Sequence, residues 1–185
     1  MRKIKIIESP RDAMQGLSQF IPTESKVKYI NALLKVGFDT IDFGSFVSPK
    51  AIPQLRDTAE VVEQLDLTNT QTKLLAIVGN KRGGETAALY DQIQYIGYPF
   101  SISPTFLKRN INSTIENSAQ TVEELLTICD KSNKELVIYI SMAFGNPYGD
   151  EWNPDIVASW VDKLYHMGVR IIPLSDTVGI STKKI

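Results

Sequence analysis

The run Lys73-Leu74-Leu75-Ala76-Ile77-Val78-Gly79 decides the fold, because it is a short β-rich stretch followed by a helical pattern over residues 84–92 and a second β-rich run over 95–101. Strand, helix and strand in that order make one βα crossover between parallel neighbours. The same alternation extends outward in both directions. Upstream, β-rich runs lie at 3–8 and 40–45; downstream they lie at 136–141 and 170–174. Helical patterns fill the intervals at 23–36, 51–65, 113–131 and 154–167. In the first of these, Val27, Ile30, Leu33 and Leu34 recur at helical spacing and form a stripe that can lie on a sheet. Gly37 after Lys35-Val36, and Gly168 after His166-Met167, are glycine helix stops.

Six strands in one repeating βα pattern, with no Pro/Gly/Ser-rich linker, predict an α/β chain of (β/α)8 TIM-barrel type that forms a single domain over residues 1–185. A complete barrel needs eight units and about 250 residues. Only about the first six βα units are expected here, in a catalytic-type barrel domain truncated at its C-terminal end.

The composition excludes several classes. An apolar fraction of 43% and a charged fraction of 22% belong to an ordinary globular core. Twenty Lys+Arg against 21 Asp+Glu leave a charge of -1, so no global basic field gathers nucleic acid or an anionic membrane. No apolar run approaches the roughly 18 residues of a membrane span. The stretch behind Met1-Arg2-Lys3 is interrupted by Lys5 and ends at Glu8, too short for a signal-peptide core. The single cysteine, Cys129, cannot form an intrachain disulfide, and a cytoplasmic location is the expectation.

In an α/β barrel the reacting groups stand at the C-terminal ends of the strands. The first such turn is Glu8-Ser9-Pro10-Arg11-Asp12-Ala13-Met14-Gln15-Gly16, which gathers an acid, a cation and an amide. Asp12 can offer oxygen to a hard divalent cation, and Arg11 can stabilise negative charge developing on a substrate oxygen. A plain Arg11–Asp12 surface pair fits the same spacing equally well. Lys81-Arg82-Gly83-Gly84 lacks the spacing of a phosphate-cradling loop and reads as a strand-to-helix turn.

The string from Glu8 to Gln15 resembles the R-D-x-x-Q opening of the DRE-type metal-dependent barrel lyases and acyl-CoA condensing enzymes. Ser45-Phe46-Val47-Ser48-Pro49-Lys50-Ala51-Ile52-Pro53-Gln54 is similar to the stretch after strand two of the 3-hydroxy-3-methylglutaryl-CoA lyase family. Lys108-Arg109-Asn110-Ile111-Asn112, Gly145-Asn146-Pro147-Tyr148 and Asp176-Thr177-Val178-Gly179 continue the resemblance in order along the chain. The resemblance implies retro-Claisen cleavage of 3-hydroxy-3-methylglutaryl-CoA to acetyl-CoA and acetoacetate, with Mg2+ or Mn2+ as the divalent cation and an acyl-CoA as the bound partner. It further implies Asp12 as metal ligand and Arg11 as the enolate-stabilising cation, supported by Gln15. Asp42 would orient the site, Asp176 would stand near the reacting substrate, and Asn110 and Ser45 would contact substrate. Relatives that pair through barrel helices imply a homodimer.

Departures from the family pattern matter equally. Its His-x-His pair, its late asparagine and its loop cysteine have no counterpart within the 185 residues, whose one histidine is His166 in a helix. His166 is therefore expected at an exposed helix end, and Cys129 as a buried small hydrophobe rather than a nucleophile. Ser18 and Val137 stand where basic residues are usual, so a shifted acyl substrate is open. Two other functions fit the pattern. One is a condensing enzyme of the same superfamily joining acetyl-CoA to a 2-oxo acid, against which the Ser45 to Gln54 stretch argues. The other is a non-catalytic barrel fragment.

Overall fold

The computed structural model describes residues 4–182. Strands β1 (Ile7–Glu8), β2 (Thr40–Ser45), β3 (Lys73–Ile77), β4 (Ile93–Ser101) and β5 (Glu135–Ser141) form one sheet in sequential order, all parallel. Helices α1 (Pro10–Gln15), α2 (Thr23–Leu34), α3 (Thr58–Glu63), α4 (Lys81–Ala88), α5 (Pro104–Asn110), α6 (Ile115–Ser132) and α7 (Pro154–Met167) fill the connections, with a 3-10 turn at Pro53–Leu55 before α3. The five strands make an open half-barrel, matching part of a TIM barrel.

Consecutive apolar residues on β3 serve two cores. Leu74, Ala76 and Val78 join Ile30, Val62 and Leu125 in the layer between sheet and helices. Leu75 and Ile77 face the other way and meet Tyr95, Val137 and Tyr139 inside the barrel. A strand covered on both faces is apolar throughout, and each such Leu or Ile, fully buried, contributes about 1.5–3 kcal/mol.

Two β-rich runs differ from expectation. Residues 170–174 form no strand; Ile171 and Leu174 make isolated bridges to Val137 and Ile140. The backbone still accepts from β5, with Ile138 N donating to Ile171 O at 3.0 Å and Ile140 N to Pro173 O at 2.9 Å. Pro173 has no N–H to return to the ladder, which interrupts regular pairing. The described residues thus hold five strands rather than six. The first run shortens to Ile7–Glu8, and Lys3 lies outside the described residues.

Helical boundaries moved for local reasons. The pattern over 51–65 splits into the 3-10 turn and α3, because the side chains of Gln54 and Asp57 turn inward to bind other segments. Helix α4 starts earlier than expected, with the Asn80 side chain accepting from Gly83 N at 3.0 Å. Gly83 and Gly84 therefore lie inside α4 rather than in a turn. A Cβ on Gly84 would sit 2.4 Å from Leu125 Cδ2, so the glycine lets α4 close onto α6. Two short helices beyond the expected set, α1 and α5, begin at Ser9-Pro10 and Ser103-Pro104, helix-start signatures with Pro in the first turn.

Candidate active site at the mouth of the half-barrel

Strand β1 ends at Glu8, and Pro10 opens α1, so Arg11, Asp12 and Gln15 stand one turn beyond the strand's C-terminal end. Positions 11 and 15 share a helix face, and Arg11 Nη1 donates to Gln15 Oε1 at 3.0 Å and to Asp12 Oδ1 at 3.0 Å. The rest of the guanidinium reaches Asp42 on β2. Nε lies 3.2 and 3.0 Å from the two carboxylate oxygens, and Nη2 donates to Oδ2 at 2.6 Å. Of the five guanidinium N–H groups, one on Nη2 has no protein acceptor among the described residues. The Arg11–Asp12 contact is thus one corner of a built fork and not a loose surface pair.

Burial separates the two aspartates. The Asp42 side chain is 2% exposed, whereas that of Asp12 is 71% exposed. Burial pushes the Asp42 carboxyl up from its ordinary value, with the charge and hydrogen bonds of Arg11 pulling back. Burial also works against the charge on Arg11, but the charge and hydrogen bonds of Asp42 overcome it and raise the guanidinium pKa. Arg11 is therefore a permanent, oriented cation.

Tyr139 belongs to the same cluster. Burial pushes its phenol up to about 12, and the nearby Asp42 carboxylate adds to the shift. It stays a neutral hydroxyl at any physiological pH. Its signal in the sequence was the alternation on β5, which places Val137, Tyr139 and Ser141 on one face.

At the end of β2 a register shift between Asp42 and Gly44 turns the strand, and Ser45 N donates to Thr58 Oγ1 at 3.0 Å. The Ser45 hydroxyl is buried without a hydrogen-bond partner. An orphaned buried hydroxyl costs about 1–3 kcal/mol, and a ligand atom at the mouth would relieve it.

The remaining expected residues stand apart from this cluster. Asn110 is the exposed last residue of α5. The Asp176 carboxylate accepts from Ile180 N and Ser181 N, both at 3.0 Å, and so orders its own loop. Hydrogen bonds from Ser181, side chain and then backbone, hold its carboxyl below the usual range. His166 lies in the last turn of α7, exposed, with Nδ1 2.8 Å from Asp162 O. Cys129 is buried on α6, as expected.

No group of three His, Cys, Asp or Glu side chains able to hold a metal ion exists among the described residues. Of the two fork aspartates, only Asp12 offers an accessible carboxylate oxygen, since both oxygens of Asp42 are engaged by Arg11. These residues do not by themselves make a divalent-cation site.

The HMGL-like family model matches residues 3–185. The chain belongs to that family. Mitochondrial hydroxymethylglutaryl-CoA lyase of Pongo abelii is 34% identical over 185 residues, covering 100% of this chain and 56% of the relative. This HMGL-like chain thus spans about half the length of the curated relatives it matches. Among solved structures, hydroxymethylglutaryl-CoA lyase from Pseudomonas aeruginosa superposes with a TM-score of 0.88 at 32% identity, covering 97% of this chain and 60% of that one. An HMG-CoA lyase from Acinetobacter baumannii, in complex with coenzyme A and 3-methylmalate, gives 0.90 at 28% identity, with coverage of 96% and 58%.

Proposed function

We propose that the protein is a divalent-cation-dependent carbon–carbon lyase that cleaves 3-hydroxy-3-methylglutaryl-CoA, or a similar 3-hydroxyacyl-CoA, to acetyl-CoA and acetoacetate. The observation that carries this reading is the Arg11 fork: a cation locked by Asp42, Asp12 and Gln15, with one Nη2 N–H that has no protein acceptor among the described residues. In a retro-Claisen cleavage a base takes the 3-hydroxyl proton, the bond between the second and third acyl carbons breaks, and its electron pair moves onto the thioester as an enolate. Protonation of that enolate then yields acetyl-CoA. A fixed donor aimed at the enolate oxygen stabilises charge that exists only late in the reaction.

The neutral Tyr139 hydroxyl and the unpartnered Ser45 hydroxyl would bind substrate oxygens beside it. Asn110 would meet the substrate at the rim, and Asp176 would act through the loop it orders. Asp12 is the one fork carboxylate free to help hold a divalent cation, Mg2+ or Mn2+, which would supply electrophilic activation of the substrate. The complex of coenzyme A with the A. baumannii relative supports an acyl-CoA partner.

The test is acetyl-CoA release from 3-hydroxy-3-methylglutaryl-CoA by the protein in its full reading frame, with and without chelator, for wild type and Arg11→Lys. Lysine keeps a positive charge beside Asp42 but loses the fork. Chelator-sensitive release, lowered at least about 100-fold in Arg11→Lys, supports the reading. Unchanged turnover in that variant refutes the role of Arg11, and thiol release from acetyl-CoA plus 2-oxo acids assigns a condensing enzyme instead.

A further inference from the structure

The loop beyond the C-terminal end of β5 contains Gly145-Asn146-Pro147-Tyr148-Gly149-Asp150. It is folded on itself by Asn146, whose side-chain oxygen accepts from Tyr148 N at 3.0 Å and Asp150 N at 3.1 Å, while its amide donates to Asp150 O at 3.0 Å. Gly145 and Gly149 take the positive φ values of +119° and +78° that this tight path requires.

The loop is fastened to α5 at two points. Asp150 Oδ2 accepts from Ser103 Oγ at 2.5 Å and from Thr105 N at 3.0 Å, and Oδ1 accepts from Thr105 Oγ1 at 2.8 Å. These hydrogen bonds, Ser103's first, hold the carboxyl below its usual range. At the other end of the helix, the Arg109 guanidinium lies 4.9 Å from the centre of the Tyr148 ring. Ser103 is itself anchored. It is 1% exposed, its hydroxyl caps α5 by accepting from Phe106 N at 3.1 Å, and its own N–H donates to Ser101 Oγ, which in turn donates to Ser141 O on β5.

A continuous hydrogen-bonded path therefore leads from the end of β5, through the first turn of α5, to Asp150 and back into the β5 loop. Neither β4 nor β5 needs this path for its ladder, which is complete from Tyr95 to Ser101 against Glu135 to Ser141. What the path fixes is the pose of a seven-residue helix whose exposed last turn carries Lys108, Arg109 and Asn110. Coenzyme A, with its phosphates and pantetheine amides, is a ligand that such a cationic and amide-bearing turn can hold.

We propose that Asp150 is a positioning residue that, by bridging the β5 loop to the first turn of α5, sets the grip of Arg109 and Asn110 on the coenzyme A moiety of the substrate. The proposal rests on the acyl-CoA reading of the site given above. It adds a residue that makes no contact with the Arg11 fork and acts only through α5.

The experiment is titration calorimetry of the protein with free coenzyme A, together with KM and kcat on 3-hydroxy-3-methylglutaryl-CoA, for wild type, Asp150→Asn, Thr105→Val and Thr105→Ser. An amide in place of the carboxylate keeps one acceptor and loses the charge. Affinity for coenzyme A is expected to fall about tenfold in Asp150→Asn and to weaken several-fold in Thr105→Val. Thr105→Ser, which retains the hydroxyl, is expected to bind as wild type does. KM should rise in step with the loss of affinity while kcat changes less than about twofold, a split that a loss of folding stability would not produce. Wild-type affinity in both Asp150→Asn and Thr105→Val overturns the proposal and leaves the lyase reading standing. Absence of coenzyme A binding by the wild-type protein overturns the acyl-CoA reading and the proposal with it.

Discussion

Replacing Asp42 by Asn isolates the energetics of the fork. Asp42 is 1% exposed and receives three contacts from Arg11, whose side chain is 13% exposed. Removing one member of a buried ion pair costs about 3–5 kcal/mol, because the partner's charge stays behind uncompensated. Arg11 retains its 3.0 Å bonds to Asp12 and Gln15, so the low end applies, about 3 kcal/mol. With a urea slope of about 2 kcal/mol per M, the unfolding midpoint should fall by about 1.5 M. Asp12→Asn, at a side chain 71% exposed, should shift it by no more than about 0.3 M. The pair Arg11→Met with Asp42→Leu removes both charges and should recover most of the loss. A midpoint shift for Asp42→Asn as small as that for Asp12→Asn would refute the claim that the fork is a buried, energetically coupled unit.

Three further outcomes follow from packing and charge in the fold. Gly84→Ala gains about 1 kcal/mol of helix propensity but forces a Cβ to within 2.4 Å of the buried Leu125 side chain; overpacking costs about 1–3 kcal/mol, so a net loss of about 1 kcal/mol is expected, and a raised Tm would contradict the close α4–α6 approach. Burial pushes the Cys129 thiol up from 9.0 to about 12, so the unfolded chain ionises first, and this contribution to stability is whole below pH 9 and lost as pH climbs toward 12. Cys129→Ala should flatten the fall in urea midpoint between pH 8 and 10 by the equivalent of about 1 kcal/mol, and equal slopes in both proteins would refute it. Asp12→Asn should lower turnover by about 100-fold or more while leaving the urea midpoint nearly unchanged, and wild-type turnover would remove Asp12 from the site.

The βα alternation was legible because periodicity is a local property. The run beginning at Lys73 and the pattern over 154–167 carry their own periodicity, and they fold as strand β3, Lys73–Ile77, and helix α7, Pro154–Met167. The turn at Arg11-Asp12 was legible only through its resemblance to the R-D-x-x-Q motif, since its spacing fits a plain surface pair equally well. Boundaries failed where tertiary bonds outweighed propensity. Gln54 and Asp57 break a helical pattern by binding Ile21 N and the buried Lys26 ammonium, at 2.8 and 2.6 Å. Pro173 breaks a strand pattern by withholding a donor.

By itself, the sequence determined the βα alternation, the parallel sense of the sheet that it implies and the family motifs, because all three are written in residues near one another along the chain. Only the tertiary structure decided what each motif residue does. It joined Arg11 to Asp42 across 31 positions, left Asp12 in solvent, and brought Tyr139 from a strand 97 positions beyond Asp42 into their field. It also set Asp176 to ordering its own loop and Asp150 to fastening another. Charge, burial and pKa are properties of what surrounds a side chain in space, and that surrounding exists only once distant strands lie side by side.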